Sequence, residues 1–179
     1  KINAIHAIVE KQKIFKTMEG DEDFINIYQD ESDSCIQVFF SRDGKITGRE
    51  HFIFKNTADD KISEIIEEFI TSFYGGTAKI PKTIYLPDIE DSELIEDFLT
   101  IKRGAKAWIK IPQKGQKKDM LEMVKNNAKI TLEQFKDKFF KEKEINRITL
   151  EELKELLDLE EKTGYILDNS PSRKVGGDS

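Results

Sequence analysis

Residues 35–54 contain two runs rich in Val, Ile and Phe, separated by the dipeptide Asp43-Gly44. Such side chains suit a half-buried pleated surface, and Asp-Gly readily takes the positive φ angles of a tight turn. This segment constrains the fold more than any other, because it predicts an antiparallel hairpin with strands over about 35–41 and 45–54. At least part of the sheet is therefore expected to be antiparallel.

The rest of the chain alternates between the two periods that distinguish strands from helices. One strand is predicted before the hairpin, and two strands and three helices after it. The strands lie over about 24–28, 83–86 and 107–111, and the helices over about 62–73, 92–99 and 117–141. This order, β-β-β-α-β-α-β-α, predicts an α/β (α+β) fold: a ribonuclease H-like mixed five-stranded sheet with flanking helices.

Several residues predict where helices begin and end. Residues 57–60 and 149–152 have the pattern of a capping box, and Ser92 is a further candidate N-cap. The pair Gly75-Gly76 predicts the end of the first helix after the hairpin. The second capping box predicts a separate helix near the C-terminus.

These signals divide the chain into four segments. Ile2, Ile5 and Ile8 have helical spacing, and since the chain begins without Met, this start predicts a fragment of a longer protein. The last residues are dominated by Gly, Ser, Pro and Lys, a composition typical of disorder. The predicted segments are an N-terminal helix over 1–14, a central domain over 20–145, a C-terminal helix over 146–160 and a disordered tail over 161–179.

Composition excludes several classes of protein. The single cysteine, Cys35, cannot form an intramolecular disulfide and fits the reducing cytoplasm. It lies in a strand pattern, so we interpret it as a small buried hydrophobic residue rather than a nucleophile. No apolar run approaches the ~20 residues that a membrane helix needs, so no membrane contact is expected.

Charge is distributed unevenly along the chain, whose formal net charge is -6. Residues 19–33 contain seven acidic side chains and no basic one. Residues 102–125 contain eight basic side chains against two acidic ones. The asymmetry predicts one side of the molecule that faces an anionic partner.

Four short motifs follow one another along the chain. Residues 37–52 read Q-V-F-F-x-R-x-G-K-x-x-G-R-E-x-F, and residues 69–74 read F-x-x-x-F-Y. Residues 80–87 read I-P-x-x-I-x-L-P, and residues 112–128 carry a Pro, Gly and Lys element that ends in Asn-Ala. In this order they resemble the middle of the UvrC family of excinucleases, which make the incisions in bacterial nucleotide excision repair. The resemblance covers roughly residues 1–160.

The resemblance implies a position within a UvrC protein and a set of partners. Residues 1–12 would be the last turns of a helical hairpin that binds UvrB, and an endonuclease domain would follow near Leu157. The implied partners are UvrB, the UvrA–UvrB–DNA complex and the backbone of double-stranded DNA. Mg or Mn is implied for the full-length protein, but no cofactor is expected in this fragment. Because the residues around Asp168 do not fit the family's pattern, no catalytic role is carried over to it.

Two basic clusters are predicted to contact the DNA backbone. Residues 114–118 lie where a strand leads into a helix, so backbone N–H groups and lysines could face one phosphate. The predicted nucleic-acid-binding residues are Lys114, Gly115, Lys117 and Lys118 in this loop, and Arg42, Lys45 and Arg49 in the hairpin. The alternative interpretation is that these are ordinary solvated turns, with Arg49 and Glu50 as a surface pair. Trp108 is interpreted as a core or sheet-face residue rather than a base-stacking one.

An active ribonuclease H-like nuclease would need acidic side chains that converge on two metal ions. The first-strand candidates flank the predicted strand instead of occupying its centre, and a chain this acidic places some carboxylates near any chosen position. The acidic candidates are Asp23, Asp30, Glu64, Glu67, Asp88, Asp119 and Glu122. No catalytic residue and no metal ligand is therefore predicted in this fragment, and whether it is itself an enzyme stays open.

The sequence thus favours a central, non-catalytic domain that positions the nuclease modules of a UvrC-like protein and contacts the DNA backbone. Two alternatives stay open. One is an autonomous Mg²⁺-dependent nuclease that uses the acidic residues above. The other is a protein-docking module whose contact is the N-terminal helix or the acidic residues within 19–33 and 59–97.

Overall fold

The computed structural model describes residues 20–76 and 79–163. The helix predicted over 1–14 and all but the first three residues of the tail predicted over 161–179 lie outside the described residues. The elements are β1 (Glu22–Gln29), β2 (Ser34–Arg42), β3 (Lys45–Phe54), α1 (Ile62–Gly75), β4 (Thr83–Tyr85), α2 (Ser92–Arg103), β5 (Trp108–Lys110) and α3 (Gln116–Thr163). Their order is the predicted one.

The five strands form one mixed sheet in the order β3-β2-β1-β4-β5. β1 pairs antiparallel with β2, and β2 with β3. β1 pairs in parallel with β4, and β4 with β5, so that Glu22 lies beside Thr83 and Thr83 beside Trp108. This topology confirms the predicted ribonuclease H-like mixed sheet.

The predicted hairpin joins β2 to β3. Asp43 and Gly44 form its turn with φ angles of 51° and 78°, the positive values that Asp-Gly was expected to supply. The pairing register shifts between Phe40 and Ser41, where a bulge lets Gly48 face Phe40.

Alternation along β1 supplies one side chain in two to each face of the sheet. Ile25 and Ile27 point towards α1 and α2 and join the larger core cluster. Phe24 and Tyr28 point the other way, into clusters that the first part of α3 completes. On that face α3 contributes Met120, Leu121, Val124, Ala128 and Leu132, all fully buried.

The polypeptide divides into two compact units, with the boundary between Glu133 and Gln134. The described residues of the second unit, 134–163, are helical. Within this unit Arg147 pairs with Glu144 and Glu151 on neighbouring turns. Among the described residues, no helix is both long and apolar enough to cross a membrane.

Two predicted helix starts differ from the structure. α1 begins at Ile62, and its N-cap residue Lys61 makes no capping hydrogen bond through its side chain. Thr57 does not cap α1, because its hydroxyl pairs with that of Ser34 at 2.5 Å. Asp91 rather than Ser92 caps α2, accepting a hydrogen bond from the Leu94 N–H at 3.0 Å.

The separate helix predicted over 146–160 is instead the C-terminal part of α3. No Gly or Pro interrupts residues 116–163, so nothing in the sequence ends the helix before residue 149. Thr149 donates its hydroxyl hydrogen bond to the Ile145 carbonyl one turn back, at 2.9 Å, instead of capping a new helix.

Candidate nucleic-acid interface

Three consecutive acidic residues mark the start of β1: Asp21 precedes the strand, and Glu22 and Asp23 are its first two residues. Because successive side chains of a strand point to opposite faces, Asp23 lies on the α1 side of the sheet and Glu22 on the α3 side. Each binds a residue that is predicted to contact DNA: Asp23 binds Arg42, and Glu22 binds Lys117. The start of β1 therefore organises both predicted basic clusters.

Asp23 is completely buried and accepts two hydrogen bonds. The Tyr74 hydroxyl donates to Oδ2 at 2.6 Å, and the Arg42 guanidinium donates to Oδ1 at 2.8 Å. Burial raises the pKa of the Asp23 carboxyl above its ordinary value, and these two hydrogen bonds oppose that shift. Burial also raises the pKa of Tyr74, so its hydroxyl stays a donor.

Arg42 is held by more than one acceptor. Its Nη1 also donates to the Ser41 carbonyl at 2.8 Å and to the Glu22 carbonyl at 3.3 Å, and Asp21 lies 3.9 Å from its Nε. About a fifth of its side chain (21%) is exposed. The guanidinium therefore closes the end of the β2–β3 hairpin onto the start of β1.

Lys117 makes the corresponding contact on the other face. Its ammonium donates to both carboxylate oxygens of Glu22, at 2.8 and 2.9 Å, and lies 5.0 Å from the centre of the Tyr85 ring. The Glu22 side chain is almost fully buried, with 6% exposed. Burial raises the pKa of Tyr85, and the hydrogen bond to Glu22 raises it further. Lys117 thus fixes the first turn of α3 to β1.

The other predicted contacts are closer to solvent. Lys45, Arg49, Lys114 and Gly115 are exposed. Gly115 has a φ angle of 86° and its carbonyl accepts the first hydrogen bond of α3, from the Asp119 N–H at 3.0 Å.

Arg49 and Lys118 also have partners on α3. Arg49 donates to the Asn127 side chain at 3.2 Å, which connects the first motif to the fourth. Lys118 forms an ion pair with Glu122, one turn further along, at 3.3 Å.

The model of the UvrC ribonuclease H-like domain matches residues 21–135, more than half of the chain and the whole of the sheet. The chain belongs to this family. The match contains all four motifs and every predicted nucleic-acid-binding residue.

Curated relatives agree with this assignment. The chain is 61% identical over 160 residues to the UvrABC system protein C of Clostridium beijerinckii, and 62% identical over 161 residues to that of Clostridium perfringens. Each alignment covers 89% of this chain and 26% of the relative. Against the protein of Clostridium tetani the alignment covers all 179 residues at 50% identity. The chain therefore spans about a quarter of the length of these relatives.

Among solved structures, a ribonuclease HII chain from a PCNA complex of Archaeoglobus fulgidus shares 12% identity at a TM-score of 0.39. The alignment covers 66% of this chain and 76% of that one. A likeness this low adds nothing to the fold that the strand order establishes.

Several of the acidic side chains considered as metal ligands already accept hydrogen bonds within this UvrC-type domain. Asp23 is already bound by Arg42 and Tyr74, while Asp88 accepts from the Ile89 N–H and Glu67 from the Asp91 N–H. Within the described ranges, no group of three or more His, Cys, Asp or Glu side chains is placed to hold a metal ion.

Two single-residue interpretations can be compared with the structure. Cys35 is completely buried, as predicted, and burial raises the pKa of its thiol to about 11. Of the two positions predicted for Trp108, the core is wrong, because 43% of it is exposed. The residue lies instead in the sheet, as the first residue of β5. The Lys106 ammonium lies 4.5 Å from its ring centre and covers part of the indole.

Sequence reasoning missed the roles of Asp23, Tyr74 and Glu22 as partners of the basic residues. The sequence pattern indicated Asp23 only as a candidate metal ligand, and Tyr74 only as part of a motif. The available signal was the acidic run that precedes an apolar strand, since carboxylates entering a core need cationic or hydroxyl partners.

Proposed function

We propose that this domain is the central, non-catalytic part of a UvrC-type nucleotide excision repair protein. There it holds the nuclease modules in register and contacts the DNA backbone. The family match over residues 21–135 carries this proposal. The partners proposed with it are UvrB, the UvrA–UvrB–DNA complex and duplex DNA, in the cytoplasm. A Mg or Mn ion of the whole protein would then be bound outside this domain.

The start of α3 supports the DNA contact. Lys114 is exposed, and the helix dipole places partial positive charge at the start of α3, which favours an anion. The positive φ of Gly115 turns the chain there without a side chain that would keep a phosphate away. Lys118 and the exposed hairpin residues Lys45 and Arg49 supply further positive charge.

Arg42 and Lys117 have a different part in the proposal. Both are bound to buried carboxylates, so their charges are largely neutralised before any DNA arrives. We therefore assign them the positioning of the hairpin and of α3, and assign the phosphate contacts to Lys45, Arg49, Lys114 and Lys118. Replacing Arg42 or Lys117 should weaken DNA binding through stability rather than through a lost phosphate contact.

The test is fluorescence anisotropy of a labelled DNA duplex titrated with the 179-residue chain from low to physiological salt. The variant K114E/K118E should bind more weakly at every salt concentration. Its log–log salt dependence should be shallower by about 1–2, since each lost phosphate contact removes ~0.9 from the slope. The control K61E/K82E makes the same charge change at two exposed lysines outside α3 and should bind like the unaltered chain.

Two outcomes would count against the proposal. Absence of duplex binding at low salt would remove the DNA contact and leave a scaffold that docks on proteins. Nicking of the duplex by the purified chain with Mg²⁺ or Mn²⁺, abolished by Asp88→Asn, would replace the non-catalytic assignment with the nuclease alternative.

A further inference from the structure

An aromatic groove lies on the face of the sheet opposite α3. It runs between β3 and α1, encloses about 480 Å³, and is lined by Phe52, Phe54, Phe69, Phe73 and Ser72, among others. The phenylalanine rings contact one another, with centroids 5.0 Å apart for Phe52–Phe69, 5.6 Å for Phe52–Phe73 and 5.1 Å for Phe69–Phe73. We call this feature the phenylalanine groove.

The position of the groove leaves it open on one side. β3 is the last strand of the described sheet, so the side of β3 away from β2 has no neighbouring strand there. Phe52, Phe54 and Phe73 are only partly buried, although each packs against the core cluster. An edge strand beside an apolar groove is the arrangement to which polypeptide segments commonly add.

One wall of the groove is strongly acidic. The sequence of α1 contains three glutamates and no basic residue. Glu68 lines the phenylalanine groove together with Asp60, and the adjoining groove on α1 is lined by Glu64, Glu67, Glu68 and Glu90. We call Asp60, Glu64, Glu67, Glu68 and Glu90 the acidic rim; among the described ion pairs, only Lys61 pairs with one of its members, Glu90, at 4.0 Å.

We propose that the phenylalanine groove and its acidic rim bind a basic polypeptide segment that carries an apolar anchor residue. The apolar side chain would enter the groove, where burial of aromatic surface supplies most of the affinity. Lysine or arginine residues on either side would lie against the rim. The same carboxylates repel a phosphate backbone, so this surface is distinct from the start of α3 and does not rest on the DNA contact.

The probe is a short fluorescein-labelled peptide of alternating lysine and leucine, titrated against the 179-residue chain by anisotropy. Two variants alter the groove independently. Glu68→Lys reverses one rim charge, and Ser72→Trp places an indole over the groove from the next turn of α1. Both positions are exposed, and circular dichroism melting verifies that each variant folds. The matched control, Glu133→Lys, changes an exposed charge on α3 by the same amount.

Each variant should weaken peptide binding by about tenfold or more, while Glu133→Lys should stay within about twofold. A peptide with glutamate in place of lysine should not bind. Equal affinity for all variants, or equal binding of the acidic peptide, would overturn the proposal. So would a dimer, measured by light scattering, that Ser72→Trp abolishes, because a second copy would then be the occupant.

Discussion

The Tyr74–Asp23 hydrogen bond offers the sharpest test of the network at the start of β1. Both residues are buried, with 1% and 0% of their surface exposed, and the bond is 2.6 Å long. Tyr74→Phe removes the donor and leaves the ring in place against Phe73, 4.9 Å away between centroids, so no large cavity forms. A hydrogen bond to a charged group contributes about 1.5–3 kcal/mol.

We therefore expect Tyr74→Phe to lower the free energy of unfolding by about 2 kcal/mol at neutral pH. The corresponding fall in Tm is about 4–8 °C for a chain of this size. The measurement is urea denaturation at 25 °C, followed by circular dichroism. Tyr28→Phe is the control, because it removes a hydroxyl from a half-buried tyrosine of β1 that is not part of the Asp23 network.

The pH dependence of this difference follows from the raised pKa of Asp23. The pKa of the Asp23 carboxyl is higher in the folded protein than its ordinary value of 3.8, so the group binds its proton more tightly when folded. The free energy of unfolding therefore falls as pH rises from 3.8 to the folded pKa. Losing the Tyr74 hydrogen bond raises the folded pKa further. The destabilisation should thus be smallest near pH 4 and grow towards neutral pH. A difference below about 0.5 kcal/mol at pH 7, or one that does not change with pH, would refute this reasoning.

Three further predictions concern Arg42, Cys35 and Leu132. Arg42→Met should lower the free energy of unfolding by about 3 kcal/mol in the same urea assay, because it leaves the buried Asp23 carboxylate without its cationic partner. Unchanged stability would show that Arg42 has no structural role. Cys35, with a thiol pKa of about 11, should react with a disulfide reagent only as fast as the domain unfolds, and labelling faster than unfolding at pH 8 would contradict its burial. Leu132→Ala, at a fully buried position of α3, should cost about 2–5 kcal/mol by thermal or urea unfolding, whereas a cost near zero would mean that this turn does not pack on the sheet.

The sequence predicted the fold well because strands and helices have local signatures. The Asp43-Gly44 turn and the alternation of the hairpin strands predict that both segments are strands, where they lie and that they pair with each other. All of this information lies within twenty consecutive residues. Helix ends were less predictable. The Thr57 hydroxyl could either cap α1 or pair with Ser34, and the pairing depends on a strand 23 residues away. A pattern of neighbouring residues does not show which of these two contacts the hydroxyl makes.

The candidate interface was only partly predictable for a related reason. Basic residues can be recognised in a sequence, but whether they face solvent or a buried carboxylate depends on distant contacts. Lys117 and Glu22 are 95 residues apart, and Arg42 and Asp23 meet across two strands. Exposed Lys114 and paired Lys117 lie three residues apart in one basic run and still differ in environment.

The strands of the sheet differ greatly in length, and this difference predicts where the domain opens first. β1, β2 and β3 contain eight, nine and ten residues, whereas β4 and β5 contain three each. Amide hydrogen exchange should therefore be slow across the antiparallel half and faster in β5, a three-residue strand at the edge of the sheet. The loop that carries Lys114 extends directly from this weakly held strand. In the proposed DNA contact, this loop would adjust its path to duplexes of different shape while the hairpin remains folded.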